Sequence, residues 1–271
     1  MSQHEIEYFR SVRKAIIIFS WAVVMITGCG KQTIRQNNFT YSHGGIIRAD
    51  STKKEMALIF TGGDDADGGK HIATVLQDYN IQAGFFFTGD FYRDPDKVEL
   101  IRRLIDDGHY LGPHSDQHLL YCTWENRDSL LVSKPEFVND MVANYAIMAA
   151  LGIKSHKIQY FIPPYEWYNQ SITNWSSEQG WVLFNNTPGT LSHADYTIPS
   201  MKNYRSSDII WDSIMDYEQN AARGLNGFLL LIHIGTHPER TDKFYLRIEK
   251  LIKYLQQQGY HFLRVDKLLE Q

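Results

Sequence analysis

Apolar and polar positions follow two rhythms along this chain. From Met56 onward, short apolar runs recur at 56–61 (MALIFT), 83–88 (AGFFFT), 109–112 (HYLG), 158–161 (IQYF), 181–185 (WVLFN), 227–233 (GFLLLIH) and 260–264 (YHFLR). Runs this short and this apolar suit strands that are covered on both faces. Longer amphipathic stretches lie between them, over 70–79, 95–107, 135–151, 171–179, 207–222 and 241–258. In the last of these, Phe244, Ile248, Leu251, Ile252 and Leu255 fall at helical spacing. Seven such units without an intervening linker predict one α/β domain over 56–271, either a barrel or a doubly wound sheet.

The first 55 residues follow neither rhythm. Arg10, Arg13 and Lys14 precede an apolar run from Ala15 to Thr27, and Gly28-Cys29 follow it. That run is too short to span a bilayer as a helix, which takes about 20 residues, but it fits the apolar centre of a secretory signal. Ile26-Thr27-Gly28-Cys29 resembles the end of a bacterial lipoprotein signal. The resemblance implies a signal peptide over 1–28, a lipid on Cys29 and a membrane-anchored place in the bacterial cell envelope. Residues 29–55 are polar with little periodicity and predict a tether. With Cys29 assigned to the anchor, Cys122 has no partner for an internal disulfide.

Charge narrows the function. There are 27 Lys and Arg against 31 Asp and Glu, a net −4. The missing basic excess argues against a nucleic-acid partner. The 43% hydrophobic content excludes a disordered chain.

The remaining polar clusters sit at strand ends. Asp64, Asp65 and Asp67 follow the first strand in FTGGDDADGG, His114 and His118 the third, and Pro163-Pro164-Tyr165 the fourth. Asn185, Asn186 and Thr187 close the fifth, and His233 ends the sixth, with His237 beyond it. Parallel strands deliver their C-terminal ends to one face, so these clusters are expected to converge. Two His at i and i+4, read as one helical turn, can share a metal opposite an acidic loop. His233, at the last position of an apolar strand, suits a general acid. The loop from Phe161 to Trp167 and Tyr168, stiffened by Pro163 and Pro164, offers aromatic rings to a sugar. The connection 113–134 is long for such a fold, as functional loops often are. His4, His43, His71, His109, His156, His193 and His261 show no partner pattern and are expected in structural or surface positions.

These clusters, in this order, resemble carbohydrate esterase family 4, the polysaccharide deacetylases, with motifs T-F-D-D-G, H-[ST]-x-x-H, R-x-P-Y and L-x-H. His114-Ser115-Asp116-Gln117-His118 matches the second motif, Leu231-Ile232-His233 the last, and Gly84–Gly89 the family's A-T-F-F-x-x-G strand. The resemblance implies a distorted (β/α)7 barrel that hydrolyses acetyl groups, N- or O-linked, from a glycan. It implies a divalent metal on Asp65, His114 and His118, with zinc as the default and nickel or cobalt as alternatives. Asp64 would be the general base and His233 the general acid. Tyr165 would bind the oxyanion through its N–H, with Pro164 and Trp167 beside the substrate. Three departures stand out. Thr61-Gly62-Gly63 separates Phe60 from the acids, read as an insertion, and leaves Asp67 as a substitute for Asp64 or Asp65. Ile162 replaces the family Arg that orients the base, with Arg240 as a substitute cation. FNNTPGT stands where a tryptophan-bearing motif is expected. The alternative is a catalytically impaired carbohydrate-binding protein on the same fold.

Overall fold

The computed structural model describes residues 38–154 and 158–270. The signal segment and Cys29 lie outside the described residues. Among those described, no helix is long and apolar enough to cross a membrane.

All seven expected strands form. The central one, β3 (Glu55–Gly62), follows an N-terminal hairpin, β1 (Thr40–Ser42) and β2 (Gly45–Arg48). β3 is buried from Met56 to Gly62, as its unbroken apolar run requires. It pairs in parallel with β4 (Gly84–Phe87) and β8 (Phe228–His233), and β4 pairs with β5 (Tyr110–Pro113). β9 (His261–Phe262) joins the start of β3, while β6 (Tyr160–Phe161) and β7 (Val182–Leu183) form a parallel pair of their own.

Eight helices are described around these strands: α1 (Gly69–Asp78), α2 (Gly89–Arg93), α3 (Val98–Asp106), α4 (Lys134–Ala150), α5 (Gln170–Glu178), α6 (Ser207–Asn220), α7 (Ile248–Gln257) and α8 (Val265–Leu269). The longest, α4, begins with a capping box in which Ser133 accepts from the Glu136 N–H and the Glu136 carboxylate accepts from the Ser133 N–H. The expected segments 95–107 and 241–258 each open with a short 3-10 turn, Pro95–Lys97 and Phe244–Arg247, before becoming α-helical.

The fold is a distorted (β/α)7 barrel, and two seams show the distortion. Between β7 and β8 the ring is completed by the N-terminal hairpin. Asn185 donates its N–H to the Ile46 carbonyl (2.8 Å), Ala49 donates to Gly227 (2.8 Å), and Thr187 bonds Leu229 through both its N–H and its hydroxyl. Residues 40–48 are therefore part of the domain rather than of the tether expected over 29–55. The tight turn at His43 and Gly44, with φ of 45° and 79°, brings Ile46 into the core and lets Arg48 reach Asn226, Tyr217 and Gly224.

The second seam lies between β5 and β6, where a hydroxyl replaces a backbone ladder. Tyr110 Oη accepts the Tyr160 N–H at 2.9 Å and donates to the Tyr160 carbonyl at 3.3 Å. Both residues are buried, so removing the hydroxyl leaves two main-chain groups without a partner. Tyr110→Phe is expected to lower unfolding free energy by about 1–3 kcal/mol, read as a reduced urea midpoint. An unchanged midpoint would show that water enters the seam and that the hydroxyl does not close it.

Candidate active site

The C-terminal ends of the strands open into a cleft of about 720 Å³. Thr61 to Asp64 line it from the end of β3 and the loop beyond, His114, Asp116, Gln117 and His118 from the loop after β5, Tyr165 and Glu166 from the turn after β6, and His233 from β8. Thr88, Asp90, Trp124, His193 and Tyr196 also face it. Parallel pairing brings these distant segments to one rim, as expected.

The two loop histidines are held from behind. Ser115 and His118 take left-handed backbone angles, φ 67° and 54°, so His114 to His118 is an irregular loop and not the helical turn that the spacing suggested. Asp140, buried in α4, accepts the Ser115 hydroxyl at 2.6 Å and the N–H groups of Asp116 and Gln117 at 3.0 and 2.9 Å. One turn along α4, Asn144 donates to the carbonyls of Ser115 and Phe87. His114 Nδ1 donates to the Ile162 carbonyl at 2.9 Å, which leaves Nε2 with its lone pair. That nitrogen lies 3.3 Å from Nε2 of His118. Burial drives both histidines below their usual range, His118 to about 4, where His233 adds to the effect and Asp64 opposes it. Both imidazoles are therefore neutral at pH 7, the form that binds a metal.

The acidic loop is less complete. β3 keeps regular register through its end, with Thr61 opposite Phe86 and His233, and Gly62 opposite Phe87. No bulge accommodates an inserted residue, so Thr61 and Gly62 occupy the last strand positions and the acids begin beyond them. Asp64 lines the cleft, and Lys97 fixes its loop by donating to the carbonyls of Gly63 (3.2 Å) and Asp64 (2.7 Å). Asp65 does not line the cleft; its backbone packs against Gly235, where an added Cβ would lie 2.5 Å from the Asp65 carbonyl carbon. Asp67 is engaged elsewhere, accepting from the Thr236 N–H, the Tyr245 hydroxyl and Lys243. Burial would raise its pKa, but these partners hold it below the usual value.

Among the described residues, no three His, Cys, Asp or Glu groups converge to hold a metal. The facing nitrogens of His114 and His118 fit a divalent cation, but a third protein donor is not in place. Thr61 stands where a donor would be expected, its hydroxyl buried without a hydrogen-bond partner.

The β8 side of the cleft is held by hydrogen bonds. His233 Nδ1 donates to Asp195 Oδ1 at 2.6 Å, and the His233 N–H donates to Asp195 Oδ2 at 3.0 Å. Asp195 is completely buried in the turn Ser192–Tyr196. Burial alone would lower the imidazole, but the Asp195 charge and hydrogen bond, helped by Glu166, raise it above its usual pKa. Sequence reading missed Asp195 because nothing local marks it; its partner lies far along the chain. His193, expected in a structural or surface position, lines the cleft beside it.

Two further expectations change. Ile162 is fully buried in the core, so an Arg has no room there. Arg240 is buried among Thr197, Ser207 and Tyr204 and acts electrostatically on His233, not on the acidic loop. Of the aromatic wall, Tyr165 is exposed over the cleft, its ring 4.3 Å from His118 and 5.6 Å from Trp124. Trp124, from the long 113–134 connection, completes the rim. Trp167 instead packs beneath Trp124, donates to the Thr123 carbonyl and lies under Arg127. Pro164 is buried and shapes the turn. The hydrogen bonds of that turn come from the N–H groups of Glu166 and Trp167, so the Tyr165 N–H is not consumed by them. His237 is exposed, away from the cleft, and its ring accepts from the Glu239 N–H.

Comparison with known proteins places the fold. The chain is 22% identical over 223 residues to a peptidoglycan-N-acetylglucosamine deacetylase of Bacillus cereus, covering 81% of this chain and 90% of that protein. Its fold resembles PdaA of Bacillus subtilis, a family 4 carbohydrate esterase, with a TM-score of 0.65 at 19% identity over 84% of this chain and 85% of that one. It equally resembles a carbohydrate esterase family 4 pseudoenzyme from Bacillus anthracis, with a TM-score of 0.65 at 17% identity over 84% of this chain and 70% of that one. Residues 48–183 match the polysaccharide deacetylase family, half of the chain, and the protein belongs to that family.

Proposed function

We propose that the protein hydrolyses acetyl groups from a carbohydrate in this cleft, with a divalent metal, zinc by default, as its cofactor. The observation that carries the reading is the convergence of the His114–His118 pair, the His233–Asp195 pair and Tyr165 on one cavity. His114 and His118 are the residues that would hold the metal, whose chemistry is to polarise an acetyl carbonyl and acidify water. Asp64, on the cleft side of its loop, is the candidate to take a proton from that water. With Nδ1 committed to Asp195, His233 presents Nε2 to the leaving group and donates its proton there. The Tyr165 N–H is available to a developing oxyanion, and Trp124 and Tyr165 offer faces for a sugar ring. Lipidation of Cys29 would hold this domain at the bacterial cell envelope.

A second reading, a carbohydrate-binding protein with impaired catalysis, is favoured by one observation: the last two positions of β3 hold Thr61 and Gly62 instead of carboxylates. Isothermal titration with zinc and an acetyl-release assay separate the two. Under the first reading, wild type binds zinc, loses it in His114→Ala and His118→Ala, and releases acetate from acetylated oligosaccharides. Under the second, wild type binds oligosaccharide without releasing acetate, and Thr61→Asp tightens zinc at least about tenfold, the worth of roughly 1.4 kcal/mol. Undiminished zinc in the double His variant would reject the proposed pair.

The His233–Asp195 pair sets the expected pH response. Because Asp195 raises the His233 pKa, the acid form persists to higher pH than in an isolated imidazole. Asp195→Asn removes that charge, so the alkaline limb of the pH–rate profile should move to lower pH, and so should the His233 midpoint followed by NMR. An unmoved midpoint would mean that the Asp195 charge does not raise the imidazole pKa.

The anchor has its own test. Wild type should fractionate with membranes, and Cys29→Ser should not carry lipid. Exported wild type found wholly in the soluble fraction would reject the lipoprotein reading.

A further inference from the structure

Glu166 follows Tyr165 in the turn above the cleft, and the catalytic groups described so far leave it without a task. Both residues have left-handed backbones, φ 57° for Tyr165 and 52° for Glu166, a conformation that non-glycine residues resist. Asn185 holds the turn in place, donating from Nδ2 to the Glu166 carbonyl at 2.8 Å. This sends the Glu166 side chain into the cleft, on the side where His233 and Asp195 act on it electrostatically.

Among the described residues, the carboxylate itself receives no hydrogen bond; the hydrogen bonds of Glu166 are through its main chain, from its N–H to the Pro163 carbonyl and from Asn185 to its own carbonyl. The other acids of the rim are differently placed. Asp90 and Asp116 share Arg93, and Asp64 lies by His118. Among the described residues, Glu166 adds a second carboxylate beside His233. His193 and Tyr196 share that side of the cleft, His114 and His118 face it across the cavity, and Arg240 acts on His233 from behind. Burial pushes the Glu166 carboxyl up to about 7, with His233 opposing the rise, so a cation arriving beside it would favour the ionised form.

Resting on the deacetylase reading, we propose that Glu166 is a specificity residue that pairs with the ammonium formed when an N-acetyl group is hydrolysed, so that the substrate is an N-acetylated amino sugar and not an O-acetyl ester. In amide hydrolysis, water adds to the acetyl carbon, the C–N bond breaks, and the nitrogen takes a proton from His233. The amine then accepts the proton of acetic acid, and the products are acetate and an ammonium group. Ester hydrolysis breaks a C–O bond instead and leaves a neutral alcohol, with the acid's proton lost to solvent. A carboxylate next to the general acid favours the charged product of the first reaction and gives the second nothing.

The test compares wild type with Glu166→Gln, which keeps the shape and removes the charge. With chitin and O-acetylated xylan oligomers as substrates, wild type should release acetate faster from chitin oligomers, and the variant should lose about 10–100-fold on these alone, the worth of one charge-assisted hydrogen bond. Equal losses on both substrates, or a wild-type preference for the ester, would overturn the proposal. Binding is read separately by titration at neutral pH. Wild type should bind a glucosamine oligomer more tightly than Glu166→Gln does, while both bind the N-acetylglucosamine oligomer alike, which also shows that the variant is folded. If wild type released acetate from neither substrate, the deacetylase reading would fail. Retained preference for the glucosamine oligomer would then still support the ammonium pairing, and equal binding by the two proteins would overturn it.

Discussion

The buried carboxylate of Asp140 is the anchor on which the cleft depends. Taking an ion out of water costs several kcal/mol unless its oxygens are satisfied. Asp140 is satisfied by the Ser115 hydroxyl and two successive backbone N–H groups. Those bonds offset its desolvation and also compensate the left-handed backbone of Ser115 and His118. Only with that backbone do two imidazoles four residues apart turn Nε2 toward Nε2 without a helix. Asn144, one turn further along α4, secures the same loop to the end of β4 through the Phe87 carbonyl. The longest helix of the domain is thus recruited to the site from behind, while its capping box fixes where it begins.

The seven strands were legible because each is an apolar run bounded by polar strand ends, and burial enforces that pattern; their closure into a barrel was implied by the family resemblance, since the pattern fits a doubly wound sheet equally well. The N-terminal hairpin was less legible. Its Ile46-Ile47 pair is too short to stand out, and its place between β7 and β8 comes from backbone bonds to Asn185 and Gly227, contacts that span most of the chain. Within the cleft, His114, His118 and His233 were legible as chemistry-bearing residues at strand ends. The shape of their loop was not, because i and i+4 spacing fits a helical turn as well as a loop pinned by a helix elsewhere. Asp140 and Asn144 did leave a trace: polar residues on the apolar face of α4, beside Phe137, Met141 and Met148, ask for buried partners. Asp195 and Glu166 left none, since each acquires its meaning only from His233.

The acidic loop teaches a different lesson. Sequence comparison tolerated a gap between Phe60 and the paired acids, whereas strand pairing does not. Thr61 lies opposite His233 in an unbroken ladder, and every residue after Gly62 is already leaving the sheet. The acids therefore depend on a glycine-bearing loop, secured by Lys97 through two carbonyls, instead of on the strand itself. A loop carboxylate approaches the histidines with more freedom and less preorganisation than a strand carboxylate.

The cleft is consequently unequal in its two halves. On the β8 side, His233 is locked to a fully buried Asp195 through both its ring and its backbone, a rigid arrangement that has a purpose only where a proton is handed over or a charge is held. On the β3 side, an unpartnered hydroxyl and a glycine stand at the strand end. A protein that merely bound a neutral glycan would gain little from burying Asp195, because a buried carboxylate is costly unless its partner is charged. Asp195 and Glu166 both favour the charged form of the His233 imidazole and raise its pKa, which makes it a better partner for Asp195 than an isolated imidazole. The His233–Asp195 pair is therefore the physical feature of the cleft that a neutral binding site explains least, and the β3 end is where the two halves of the cleft differ most.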